Sequence, residues 1–275
     1  MRPLWFYIGV FLTSLAALML EIVQTRILSV VVWYHLAFLV ISLAMFGLTA
    51  GAVWVYLKGE RFTEKTFSYD LSYFCGLFAF ATAICLAVQM TLTPIITRFF
   101  TTLWIWTELA LCLSAPFFFA GVVISLALTR GPFPVARVYG VDLVGAAGGA
   151  VGALVLLNIT DGPSAVLWIA VIAAIGAISL SVSGIGGLPE KRPQFHVWLW
   201  NRQWIFLLLL LVASINPFLE HGLQPLAVKG KFEFPGTHAL RRWNSFSRID
   251  VSHVFKAKPI MWGPSPKMLE QGWLV

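Results

Sequence analysis

The sequence predicts an all-α polytopic membrane helix bundle of about seven transmembrane helices followed by a short β-containing stub. Three observations predict it. Of 275 residues, 59% are hydrophobic and 11% charged. The mean hydropathy is +0.84, too apolar for the mixed surface of a soluble domain of this length. Apolar runs near the roughly 20 residues needed to cross a bilayer also recur along the chain, more often than one buried core helix explains.

The spans read from these runs are 4 to 25, 36 to 57, 71 to 90, 103 to 129, 139 to 159, 163 to 183 and 204 to 219. The first follows Arg2 like a signal peptide, but it passes through Ala16 and Ala17 into Leu18 and Met19 without a polar cleavage region. It is read as a retained helix. Trp5, Trp33, Tyr34, Trp54, Tyr56, Trp198, Trp200 and Trp204 fall near span ends, where an amphipathic ring sits at headgroup depth. Pro116 lies inside the fourth run and predicts a kink, because proline removes one helix hydrogen bond.

The formal charge is +7. In a chain this apolar, that excess marks loops facing anionic lipid, so the bilayer is the expected partner and nucleic acid is not. With the N-terminus inside, nine Lys and Arg residues fall on the cytoplasmic side (Arg2, Lys58, Arg61, Lys65, Arg130, Arg137, Lys191, Arg192, Arg202) and two, Arg26 and Arg98, in the opposite loops. That asymmetry favours N-in. Seven spans then put residues 220 to 275 outside, although this tail carries eight more basic residues.

The chain divides into a transmembrane helical domain over residues 1–220 and a polar segment over 221–275. In the second, Leu226 to Phe234 and Ser247 to Phe255 read as strands separated by Pro235 and Gly236. A free-standing domain this short buries too little surface to be stable alone, so the segment reads as the beginning of one.

Glycine carries the clearest packing signal. Gly145, Gly148, Gly149 and Gly152 form two overlapping GxxxG registers in the fifth span, and Gly47 and Gly51 form a third in the second. Small residues four apart make a flat stripe on which two helix backbones approach closely, within one chain or across a homodimer. No GxGxxG or Walker pattern exists to make these glycines a phosphate loop.

Charge inside a spanning helix is expensive and marks candidate sites. Glu21, Arg26, His35, Glu108 and Asp142 form the candidate polar set. Glu21, Arg26 and His35 are close enough in sequence to meet across the first turn and bind a cation or relay protons. Asp142 is also open to a plainer role, as a helix-start charge near Arg137. Cys75, Cys85 and Cys112 lie in apolar runs without a CxxC pair or a nearby His cluster, which argues against metal ligation and a disulfide framework. No nucleophile, paired-carboxylate or HExxH pattern predicts a catalytic residue.

Three stretches carry a resemblance: LMLEIVQTRILSVVVWYHLAFLVISLAMFGLTAGA at 18 to 52, YGVDLVGAAGGAVGAL at 139 to 154 and RWNSFSRIDV at 242 to 251. In order and spacing they resemble bacterial membrane-bound spermidine-synthase-like proteins, in which a multi-helix membrane domain precedes a polyamine aminopropyltransferase-type domain. The resemblance spans nearly the whole chain and implies a bacterial cytoplasmic (inner) membrane location. It also implies that Trp243 to Val251 belong to the small β-structure that opens the soluble domain. That domain is cytoplasmic in such an enzyme, which conflicts with the charge count.

The motifs that bind decarboxylated S-adenosylmethionine in that family lie further downstream and are not met before Val275, so no cofactor and no transferase activity is expected of this chain alone. Asn244 to Ile249 approximate the family's SxYQxI-like element, with Ser247 in place of its glutamine, so that substrate contact does not carry over. The implied role is membrane anchoring. The alternative is a small-solute or polyamine transporter in which Glu21, Glu108 and Asp142 face a central cavity.

Overall fold

The computed structural model describes residues 3–32, 34, 37–64, 66–92, 99–184, 203–219, 222–229, 231–233 and 238–252. It is mostly helical, with a small C-terminal sheet component. The helices are α1 (Pro3–Val31), α2 (Ala37–Leu57), α3 (Phe67–Thr91), α4 (Phe99–Arg130), α5 (Val135–Ile159), α6 (Gly162–Val182) and α7 (Gln203–Ile215). Single 3-10 turns follow α2, at Gly59–Arg61, and α7, at Asn216–Phe218.

Helices α1 to α6 are long and apolar enough to cross a membrane, which suggests a multi-pass membrane protein. The seventh is apolar but shorter within the described residues. Large apolar side chains face outward, among them Phe38, Phe46, Leu111, Val151 and Leu211. An outer apolar surface is what hydrocarbon rather than water selects.

Glycine seams set the packing. A Cβ at Gly51 would stand 2.2 Å from the Phe118 carbonyl oxygen, and one at Gly47 2.4 Å from that of Ser114. Gly121 of α4 meets the Leu48 backbone in return. On α5, Gly145 and Gly149 lie against the carbonyl oxygens of Phe11 and Leu15. Gly9 of α1 faces Leu180 and Gly176 of α6. Two pairs, α2–α4 and α1–α5, thus approach at backbone distance because no side chain intervenes, while at α1–α6 the Leu180 side chain fills the space over Gly9. α6 is the most enclosed of the six, while α2 and α5 lie at the periphery.

Several boundaries differ from the sequence expectation. α1 continues to Val31, so Arg26 belongs to a helix and not to a loop. The Leu-Ser-Val-Val run at 28 to 31 keeps the apolar pattern going past the charge. α4 spans Phe99–Arg130, longer than the expected 103 to 129, with Pro116 buried inside it. Trp54 does more than mark a span end: its ring packs on Phe62, Phe74 and Phe118, and the Arg61 guanidinium lies 5.3 Å from its centroid.

In the tail, the first expected strand is a tight antiparallel hairpin, β1 (Ala227–Val228) with β2 (Lys231–Phe232). Lys229 sits in its turn at φ 50, a left-handed conformation uncommon for a residue with a Cβ. A second antiparallel pair joins β3 (His238–Trp243) to β4 (Arg248–Ser252). Only β4 was expected there, since Arg241 and Arg242 break the apolar alternation of β3.

Candidate functional site

Odd-numbered helices end where even-numbered ones begin, so one end of the bundle gathers the C-termini of α1, α3 and α5 and the N-terminus of α6. The tail is attached to this end. Leu226 N donates to the Met90 carbonyl at 3.1 Å and Lys229 N to the Val31 carbonyl at 2.7 Å. Both acceptors are among the last carbonyls of their helices, which have no intrahelical donor. The Trp243 ring lies over Gly162, 2.9 Å from the place a Cβ would take, and beside it stands Ile27 of α1. Trp243 is 7% exposed.

A polar pin joins the same elements. Asp161 caps α6 by accepting from Ser164 N at 2.8 Å and from Ser164 Oγ at 2.8 Å. Ser164 Oγ in turn accepts from Asn216 Nδ2 at 2.8 Å, and Asn216 Oδ1 accepts from Leu223 N at 2.6 Å. The pin therefore runs from the α5–α6 turn through the end of α7 to the start of the tail. Burial pushes the Asp161 carboxyl above its ordinary range, against the hydrogen bonds from Ser164 and Gln224 that hold it down. Outside the pin, Glu233 binds Arg241 at 2.8 Å and Arg248, while Asp250 lies 3.3 Å from Arg248, tying β2 to the β3–β4 pair.

The expected polar residues do not gather into one site. Asp142 of α5 accepts from Ser14 Oγ of α1, so it joins two helices whose backbones already touch. Glu21 is half-buried on α1, ten residues before the helix end, and forms no ion pair with Arg26 among the described residues. Glu108 is half-buried on α4 beside Cys112. His35 lies outside the described residues. No group of three His, Cys, Asp or Glu side chains that could hold a metal occurs among the described residues. A crevice between α1, α3 and α4, lined by Leu28, Val31, Gln89 and Leu109 among others, contains none of the expected charges.

Of the six glycines, Gly47, Gly51, Gly145 and Gly149 form seams inside the chain. Gly148 meets the tips of Leu15 and Phe11 at ordinary contact distance, and Gly152 meets Met19. A homodimer through these same faces would have to displace α1 from α5 or α4 from α2.

The sequence reading passed over Asp161 and Asn216. An Asp two residues before Pro163 is a helix-start signal that identifies the cap. Nothing local to Asn216 announces its partner 52 residues away. Asp70, fully buried in the first turn of α3, was likewise not singled out.

The fold and this junction define a multi-pass helical protein of membrane type whose strand-bearing tail is seated on one end of its helices. Compared with family models, curated proteins and solved structures, the chain matches none.

Proposed function

We propose that this chain is the membrane-anchoring part of a spermidine-synthase-like protein of a bacterial cytoplasmic membrane, and that its helices hold the opening strands of a soluble domain in a fixed place. The observation that carries the reading is the seating of Trp243. Residues 242 to 251, the segment that resembles the start of an aminopropyltransferase-type domain, include the ring that covers Gly162 and Ile27. An anchor needs close-packed helices and a rigid exit for the chain. The glycine seams supply the first and the Asp161–Ser164–Asn216 pin the second.

The separation of Glu21, Glu108 and Asp142 argues against a polyamine pathway through the bundle, because a cationic solute needs convergent carboxylates. Polyamine uptake into proteoliposomes is expected to be absent.

The deciding test is the intact mass of the native protein from membranes of its source. The anchor reading expects a mass above 30.5 kDa by at least a domain. A native mass equal to 30.5 kDa overturns it.

A further inference from the structure

The register of β3 and β4 sets Leu240 opposite Val251 and Arg242 opposite Ile249. The alternate pairs are Arg241 with Asp250 and Trp243 with Arg248. Opposed residues share a face and successive ones alternate, so one face carries Leu240, Ile249, Val251 and Arg242, and the other Trp243 with the remaining charges. In water such a sheet turns its apolar face inward and its charged face outward. Here the order is reversed. Leu240, Ile249 and Val251 are 55%, 50% and 46% exposed, and Phe246 in the connecting turn is 79% exposed. The charged face is the covered one: the Arg248 side chain is 4% exposed, bound by Glu233 and Asp250, with its guanidinium 6.0 Å from the centre of the Trp243 ring.

What the sheet touches fixes its depth. Trp243 stands on Gly162, the first residue of α6, and on Ile27, close to the end of α1. At the turn, Ser245 N donates to Asn158 Oδ1 at 3.4 Å, one residue before α5 ends at Ile159. The sheet is therefore level with the helix ends and adjoins their outer surface, where Ile159 is itself exposed. In a multi-pass protein, helix ends lie at headgroup level, the depth that takes aromatic rings and long cationic side chains.

We infer that the face formed by Leu240, Ile249 and Val251 is a membrane-interface surface, lying against phospholipid at the rim of the bundle. Phe246 enters the upper acyl region, and the Arg242 guanidinium pairs with a headgroup phosphate. The helices show the same reversal, with apolar side chains turned outward. A stable protein interface takes about 20–30 residues a side, so four exposed apolar side chains fall well short of one, whereas lipid sets no such minimum. The inference stands apart from the anchor reading, which the native mass decides.

The experiment places the full chain in vesicles of phosphatidylethanolamine and phosphatidylglycerol that include a phosphatidylglycerol with a diazirine near the ester of one acyl chain. Photolysis is expected to attach lipid to the peptide containing Phe246 and Ile249, but not to the exposed loop at Glu64. Hydroxyl radicals generated in the water should spare Phe246, which they oxidise in the denatured chain. Arg242→Gln should lower the yield with this lipid to that given by a phosphatidylcholine carrying the same diazirine. No adduct between residues 240 and 251 with Phe246 oxidised would place the face in water. No adduct with Phe246 spared would show that a second copy or another domain covers it. Either result overturns the inference, and an unchanged preference for phosphatidylglycerol in Arg242→Gln overturns the phosphate pairing.

Discussion

Asp142 on α5 accepts a hydrogen bond from Ser14 Oγ on α1, just where Gly145 lets the two backbones come together. An ionisable side chain that the sequence offers for proton or cation chemistry thus acts as polar glue. Such interhelical bonds contribute about 0.6 kcal/mol on average and at most about 1.7 kcal/mol in membrane proteins. Ser14→Ala and Asp142→Ala should each destabilise the bundle by about that much, and the double variant should cost less than their sum. Unfolding titrations in mixed micelles give the cycle, and strict additivity would show that the contact contributes nothing.

Two adjacent glycines on α5 should respond in opposite ways. A methyl group at Gly149 meets the Leu15 carbonyl oxygen at 2.5 Å, whereas one at Gly148 meets only side-chain tips, the Leu15 Cδ1 at 3.5 Å and the Phe11 Cζ at 3.7 Å. Gly149→Ala is therefore expected to lose about 1–3 kcal/mol by overpacking. Gly148→Ala should be neutral or stabilising, since alanine favours helix by about 1 kcal/mol. Equal effects in an unfolding titration would mean that α5 does not lie on α1 in this register.

Trp243→Ala removes the ring that covers Gly162 and Ile27. Limited proteolysis of residues 222–252 should become markedly faster, while helical circular dichroism stays unchanged because the seams between α1 and α6 are elsewhere. If the tail is cleaved at the same rate in both proteins, the ring does not hold it.

The pin should depend on pH. Because burial raises the Asp161 carboxyl in the folded protein, the folded state retains a proton that the unfolded chain releases. Its contribution to stability is complete below the ordinary carboxylate range and is lost as pH rises through the raised value. Protease resistance of the tail should fall over that interval. Asp161→Asn keeps a capping side chain and should flatten the profile. A wild-type profile that rises with pH would contradict this assignment.

The helical layer was legible because lipid-facing and core-facing residues are both apolar, so each span announces itself by length alone. Gly47, Gly51, Gly145 and Gly149 were legible as seams because a side chain at these positions would meet backbone oxygen of the neighbouring helix. Their partners were not: that Gly149 rests on α1 and Gly51 on α4 depends on the order in which helices assemble, and no local pattern encodes it. The extent of α1 was misjudged because Arg26 looked like a boundary, although a partly buried arginine is tolerated near a helix end. The candidate site was the least legible part. The residues that pin the tail, Asp161, Ser164 and Asn216, are small polar groups common in any turn, and only their meeting gives them a role.

The bonds from Leu226 and Lys229 to the ends of α3 and α1 also impose an order in time. Both helices precede these donors by more than a hundred residues, so a ribosome threading the chain into a bilayer finishes them long before it delivers their final hydrogen bonds. Until then two helix ends depend on water or on the insertion machinery for partners. The end of the bundle that bears the tail is therefore closed last, by the most recently synthesised segment.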